Sequence, residues 1–500
     1  MLSLDTKWDT EADVVIIGYG SAGAMAALTA AEEGVNVLIL EKQRFGHGPE
    51  VGNHYSTSHM SGGVYLQPTD RTGTIAYFRA MSRVGRAGYV PLTTPDGYTG
   101  DDLIEVYADE ALLNLQWLRD HGFDLAKVSD GAEHPFEGVE TFESYRFESS
   151  GVGMMRTFER LIEAHPRIKV MYETAAERLL TDLRGDVLGV AAMSGEANPR
   201  PINVRAGRNV IMAMGGFEFD ENMKLNYLRV YPTYFTGTEA CTGDGVRMAI
   251  DVGADLWHMN CVSARLVMKF PEFPSAISAW MVGVKPTPYI LVNRYGARYT
   301  NERIKGHTVY YETTLFDSQK LDYPRIPSFW IFDQTRMTSA KLAAAGGGIT
   351  GSMGRYAWSS GNKDELERGW LKMGDGLAEL SANLGIEGDY LQKQVDTWNE
   401  YAKAGKDPDF ARREDEVLAL DNPPYFGVPV YPGGPNTQGG AKHNAKGQIL
   451  NVDGRPIPGL YAVGEFGSMF GMLYPSAGGN LSECFAMGRV VGRNAAKFRE

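Results

Sequence analysis

The chain has 500 residues, with 49 Lys+Arg against 62 Asp+Glu, and its net charge of −13 excludes a basic nucleic-acid-binding surface. Hydrophobic content of 43% with 22% charged residues fits a globular protein of roughly two to four domains and excludes a fibre or a disordered chain. Glycine is the one excess, 59 residues without a collagen-like period, which calls for backbone where side chains would obstruct.

Residues 13–42, DVVIIGYGSAGAMAALTAAEEGVNVLILEK, read as an apolar strand, a glycine turn, an alanine-rich helix, a break at Gly34 and a second strand ending in Glu41. Gly18, Gly20 and Gly23 form GxGxxG: the first permits the tight turn, the second admits a pyrophosphate to the backbone, and the third packs helix on strand. The helix begins at Ser21 and Ala22, so its unpaired N–H groups face the phosphates. Glu41, about 20 residues on, accepts ribose hydroxyls and disfavours a 2′-phosphate, with Lys42 beside it. Gly346, Gly348 and Gly351 repeat the pattern but follow a helix-like stretch, so a loop is expected there.

The polar loop Gly46–Gly63, GHGPEVGNHYSTSHMSGG, is unlike the direct continuation of strands and helices in NAD enzymes and can wrap a larger cofactor. With EK, this loop and SGG, the sequence resembles the flavoproteins of the fumarate reductase, succinate dehydrogenase and ketosteroid dehydrogenase group. The resemblance implies FAD, with Ser56, Thr57, Ser61, Gly62 and Gly63 contacting pyrophosphate and flavin. Members that attach FAD covalently use a histidine six residues before the paired glycines. Here that position is Ser56, and His54 and His59 miss it, so noncovalent FAD is expected.

After Gly151 come an amphipathic helix, MMRTFERLIEAHP, and strands divided by a turn at Gly185. KVMYETAAERLL resembles the family's TxAxxL strand, whose backbone near Ala175 or Ala176 clamps adenine; an ordinary sheet strand is the other reading. NVIMAMGGFEFDENM resembles the strand that returns under the cofactor and ends in Gly215 and Gly216. Asp244 of CTGDG stands at a helix start, as a cap or as an indirect cofactor contact.

Aromatics, prolines and long polar helices mark residues 272–421 as an inserted α+β capping domain between the two parts, 1–271 and 422–500, of an α/β, Rossmann-like FAD domain with a parallel sheet. PYILVNRYGARYTNE resembles the family's hairpin and NE signature. Fumarate reductases place an arginine four residues past that Glu, and here Gly306 stands four past Glu302. His307, Tyr310 and Tyr311 become candidates for proton transfer, against a plain packing role.

The resemblance is nearly continuous over 437–493. It implies that Glu465 holds the ribityl hydroxyls and that backbone donors at Asn480 and Leu481 face flavin N1 and O2, the edge that gains negative charge on reduction. In LYPSAGGN, Ser476 occupies the place of the arginine that grips a carboxylate in RLGGN, so a fumarate-type clamp is missing. Tyr474 and Gly478 match the ketosteroid dehydrogenases' YPxxG, whose hydroxyl and backbone N–H bind a ketone oxygen. Ser476 matches a residue implicated in catalysis by the dehydrogenases of the 4,5-bond.

The expected activity is therefore dehydrogenation or reduction of a carbon–carbon bond next to a carbonyl, in a small apolar ketone or enone such as a 3-ketosteroid. A reductase of another unsaturated carboxylate is the alternative, with Arg265, Arg303 or Lys305 as anion partners; a noncatalytic flavin electron carrier is a further one. No haem CxxCH or cluster-binding cysteine set occurs, so electrons pass through a separate donor or acceptor. Cys241, Cys261 and Cys484 lack CxxC spacing, no signal pattern opens the chain, and no apolar run reaches the ~20 residues of a membrane helix. These features predict a cytoplasmic protein without an integral membrane segment.

Overall fold

The structure, a computed structural model, describes residues 7–46, 55–84, 97–195, 197–279, 281, 286–303, 306–343 and 346–499. It divides into two compact units, one of Met1–Leu228, Gly237–Val262 and Asn436–Glu500, the other of Arg229–Thr236 and Ser263–Pro435.

The first unit is built on an eight-stranded sheet: β1 (Thr10–Ile17), β2 (Val37–Leu40), β3 (Ile168–Met171), β4 (Thr174–Thr181), β5 (Val187–Ser194), β6 (Arg200–Met212), β7 (Gln448–Leu450) and β8 (Pro456–Ala462). Its order is β7-β8-β6-β1-β2-β3, with β5 antiparallel to β6 and β4 antiparallel to β5. β1 runs parallel to both β2 and β6, Val14 facing Val37 and Val15 facing Val210. Val14–Ile17 and Val37–Leu40 are buried without alternation, as strands covered on both faces must be.

α1 (Ser21–Glu32) leaves β1 through the glycine turn and is buried from Ser21 to Ala31. Against it lies α2 (Gly479–Ala495), the last long helix. A Cβ on Gly488 would fall 2.8 Å from the Met25 side chain, and one on Gly492 2.7 Å from the Ala26 carbonyl oxygen. Alanine on α1 and glycine on α2 therefore let two backbones approach where larger residues would hold them apart. A three-stranded antiparallel sheet, Val64–Pro68, Phe142–Phe147 and Leu125–Asp130, buries Tyr65, Phe142 and Phe147 beside α2.

The second unit is wider than the 272–421 span expected from composition, because Tyr425–Gly434 is its central strand. That strand pairs antiparallel with Ser328–Asp333, Arg265–Met268 and Lys372–Gly374, and parallel with Tyr234–Phe235. Ile290, Val292, Phe329, Ile331, Leu380 and Trp398 centre its core. The second glycine motif falls here, where Gly348–Thr350 forms a single 3-10 turn after the helix Gln334–Ser339, so no strand–turn–helix cradle is made.

Candidate cofactor and active site

An open cleft of about 780 Å³ lies in the first unit along the carboxyl ends of β1 and β2. Gly18, at φ +99°, makes the turn out of β1, and a Cβ there would stand 2.5 Å from the Ala213 carbonyl oxygen. A Cβ on Gly23 would collide with the Gly18 carbonyl, which fixes the third glycine by packing; Gly23 itself does not line the cleft. Gly20 precedes α1 with no side-chain cap, so the helix presents N–H groups and its positive end to the cleft at Ser21 and Ala22. Ser21 N–H donates to Ser58 Oγ at 3.0 Å, and Ser58 also lines the cleft.

At the end of β2, the Glu41 carboxylate accepts from Tyr19 N–H (3.0 Å) and Gln43 N–H (2.8 Å), which fixes it at the cleft wall as an acceptor for hydroxyls. Lys42 Nζ donates to Asp244 Oδ2 (2.7 Å) and Thr242 Oγ1 (2.9 Å). The cap reading of Asp244 is thereby corrected. Gly243, at φ +73°, takes the N-cap position of the helix Asp244–Asp251 with no side-chain cap, and the Asp244 carboxylate turns to Lys42 and Arg247.

Ser56 and Thr57 line the cleft. Ser56 caps the short helix Thr57–Met60, with its hydroxyl 2.9 Å from His59 Nδ1, while Glu159 sits 3.2 Å from His59 Nε2. His59 is thus a buried, engaged side chain; His54 lies outside the described residues. Ser61 and Gly63 shape the exit of the loop instead of lining the cleft: the Ser61 hydroxyl donates to the Ser58 carbonyl and accepts from Gly63 N–H, and Gly63 is packed 2.5 Å from Ser150 where a Cβ would go. Gly62, between them, does not line the cleft either. On the opposite side stand Thr174 and Ala176 of β4, with Met214 and Gly215 after β6; Gly216 turns away to make room for Thr437. Thr238, Cys241 and Cys484 complete the wall, and burial pushes both thiols up, so they stay protonated.

Glu465, just past β8, also lines the cleft. Its Oε1 is buried with no hydrogen-bond donor among the described residues, an acceptor of the kind that ribityl hydroxyls satisfy. Uncapped helix N–H groups, a fixed carboxylate and an orphaned carboxyl oxygen along one cleft fit the three parts of FAD: pyrophosphate, ribose and ribityl chain.

The loop 474–478 leads into α2. Tyr474 is 8% exposed, and its hydroxyl accepts from Asn480 N–H at 3.0 Å. Two side chains absent from the sequence reading hold this loop: His134 Nε2 lies 2.8 Å from the Tyr474 carbonyl, and the Tyr77 hydroxyl donates to the Pro475 carbonyl at 2.7 Å. Gly478, at φ +91°, packs against Tyr65 so closely that a Cβ would collide. Among the described residues, the N–H groups of Gly478 and Leu481 have no acceptor, whereas that of Asn480 is taken by Tyr474. The Asn480 side chain donates to Asn436 Oδ1 (2.8 Å) and accepts from Gln438 Nε2 (3.0 Å). Ser476 is buried beside Tyr474, and its carbonyl accepts from Gly479 N–H.

His307 and Tyr310 belong to the second unit and are buried there, Tyr310 packing edge-on to Tyr311 at 5.4 Å. Of the three proposed anion partners, Arg303 is paired with Glu416 (2.7 Å), Lys305 lies outside the described residues, and Arg265 makes no hydrogen bond or ion pair among them. Glu302 of the NE signature is fully buried and accepts two bonds from Arg298 (2.7 and 2.9 Å), which also reaches Asp407 (3.0 Å). It is the hub of an ion network, not a group facing a ligand. Among the described residues no cluster suits a metal ion, and no helix is long and apolar enough to cross a membrane.

Fold and cleft together define a flavoprotein that binds FAD noncovalently on a Rossmann-like domain. The family described as FAD binding domain matches residues 13–481, and the chain belongs to it, among the flavoproteins of the fumarate reductase and succinate dehydrogenase type. A urocanate reductase of Eggerthella lenta is 28% identical over 97% of this chain and 75% of its own length. A 3-oxosteroid 1-dehydrogenase of Mycobacterium tuberculosis is 26% identical over 97% of this chain and 98% of its own. The crystal structure of a 3-ketosteroid delta1-dehydrogenase from Sterolibacterium denitrificans superposes with a TM-score of 0.81 at 19% identity, covering 98% of this chain and 100% of that one. The protein is an FAD-dependent dehydrogenase or reductase acting on a CH–CH group.

Proposed function

We propose that the enzyme dehydrogenates, or in reverse reduces, the carbon–carbon bond α,β to a ketone in an apolar, 3-ketosteroid-like substrate. The observation that carries this reading is the donor pair in the loop 474–478. The Tyr474 hydroxyl, which accepts from Asn480 N–H, and the Gly478 N–H four residues on belong to one loop, and among the described residues that N–H has no acceptor. Two donors on one carbonyl oxygen stabilise the enolate-like charge that develops there and acidify the adjacent C–H bond; one such donor is worth roughly 10²–10³ in kcat. When bound, FAD supplies the hydride acceptor or donor. His307 and Tyr310 are the candidates for the group that removes or returns the proton, and Ser476 for a second hydroxyl at the ketone. Tyr77 and His134 orient the loop that carries the donors.

Electrons reach or leave the flavin through a separate carrier, and the protein works in the cytoplasm, a setting in keeping with three free, buried cysteines. An unsaturated carboxylate is the second reading, favoured by Arg265, whose guanidinium has no ion-pair partner among the described residues. Anaerobic mixing of the flavin-loaded protein with saturated and unsaturated ketosteroids and enoates separates them. The ketone reading expects bleaching by saturated ketones or reoxidation of reduced flavin by enones; reoxidation by enoates alone would overturn it.

A further inference from the structure

Glu218 sits two residues past the paired glycines that follow β6, outside every role read from the sequence, and is 1% exposed. Its Oε1 accepts from both the backbone N–H and the hydroxyl of Thr437, the latter at 2.7 Å. Gly216 must lack a side chain here, since a Cβ would stand 2.5 Å from that same oxygen. The other oxygen, Oε2, is buried with no donor among the described residues, as is Oε1 of Glu465. The two carboxyls lie within hydrogen-bond reach of each other.

Two ionised carboxylates in contact inside a protein repel strongly, and each orphaned acceptor carries its own desolvation cost. A single proton between them removes both penalties. We infer that Glu218 and Glu465 share one proton and act as a singly charged pair at the FAD cleft, with Glu218 as the positioning residue that holds the Glu465 carboxyl toward the cofactor hydroxyls. Thr437 anchors one end of the pair. At the other, Asn436 bonds Glu465 and is itself held by Asn480 at the start of α2. The chain of bonds thus ties the ribityl end of the cleft to the helix that carries the loop 474–478.

The surroundings favour a retained proton. Burial and mutual repulsion raise the Glu465 carboxyl well above the usual carboxylate range, and burial raises Glu218. Glu483, itself raised to about 7 by burial, opposes a charge on Glu465 only at pH values where it is itself ionised, and the Cys241 thiol beside both acids is neutral. Lys42 acts on this cluster through Cys241, and it is already paired with Asp244. Ionising both acids would place a second negative charge near a cofactor that carries a pyrophosphate of the same sign.

The test compares the full-length protein with Glu218→Gln and Glu218→Leu. In Glu218→Gln, the amide oxygen takes the Thr437 bonds and the amide N–H replaces the shared proton, so pair charge and geometry persist. Its FAD affinity at neutral pH, read by quenching of flavin fluorescence on titrating the apoprotein, is expected within about threefold of wild type, while Glu218→Leu loses at least about tenfold. Infrared spectra recorded above about pH 8, where Glu483 is ionised, should show a protonated-carboxyl C=O band in wild type that is missing from Glu218→Gln. An unchanged band in Glu218→Gln, or affinity loss equal to that of Glu218→Leu, would overturn the shared proton. Far-ultraviolet circular dichroism establishes that each variant is folded before it is scored.

Discussion

Replacing Tyr474 by Phe leaves the ring in place, since it is 8% exposed and packs edge-on against Phe470 at 6.2 Å, and removes one oxygen with two separate duties. That oxygen accepts from Asn480 N–H at 3.0 Å, and losing the bond costs about 1 kcal/mol of stability. In a chain of this size the melting temperature then falls by no more than about 2 °C. The second duty is the proposed donation to the substrate oxygen, and on that proposal its removal lowers kcat by roughly 10²–10³, or about 3–4 kcal/mol of transition-state stabilisation. The two effects are read separately, by thermal unfolding of the flavin-loaded protein and by steady-state turnover of a ketosteroid with an artificial electron acceptor. A variant that melts slightly earlier but turns over within about threefold of wild type would show that the hydroxyl serves only the helix start, and the carbonyl-binding role would fall.

Gly492→Val should force α1 and α2 apart, because the new Cβ lands 2.7 Å from the Ala26 carbonyl and 2.8 Å from Thr29; a loss of about 1–3 kcal/mol and of retained flavin is expected, read by melting and by the flavin-to-protein absorbance ratio. Arg298→Leu strands Glu302 and Asp407 as buried charges and should cost about 3–5 kcal/mol by denaturant unfolding; a value below about 1 kcal/mol would show that water enters the network. Glu483 accepts from the Ser468 hydroxyl and Met469 N–H and is raised by burial from 4.5 to about 7. The folded chain therefore keeps a proton that the unfolded chain has released, so this contribution is full below pH 4.5, fades as pH rises through about 7, and amounts to about 3 kcal/mol. Glu483→Gln should flatten the stability profile between about pH 5 and 8, and an unaltered slope would refute the assignment.

The nucleotide cradle was legible because its physics is local: alternation of apolar run, glycine turn and alanine helix within 30 residues specifies strand, turn and helix in order. What closes the cleft was legible only through resemblance or not at all. Gln43, Thr238 and Cys241 come from loops and Ser58 from a single-turn helix, segments that carry no periodic signal, and their convergence is set by sheet order. Asp244 was misread because a cap is inferred from residue type at a helix start, while the backbone of Gly243 decided which residue held that position. α2 begins at Gly479, where paired glycines oppose helix by propensity yet are demanded by contact of Gly478 with Tyr65 and of Gly479 with Pro475. Glu302 was visible as a motif and its partner Arg298 stands four residues before it, but Arg298 also pairs with Asp407, 109 positions away, beyond anything a spacing rule reaches.

The placement of β8 and α2 sets a condition on how the protein is made. On the side away from β1, β6 is paired by β5 at Arg200–Arg205, but its end at Val210–Met212 is paired by Leu460–Ala462 of β8, and Gly492 of α2 packs against Ala26 and Ala30 of α1. Synthesis from the amino end therefore makes β1 to β6 before the second unit and β8, Glu465 and α2 after it, so the strands and helix that finish this domain are separated from its start by another unit. Glu465 and the start of α2 are among the last parts of the cleft to be made, which links completion of the sheet to completion of the cofactor site.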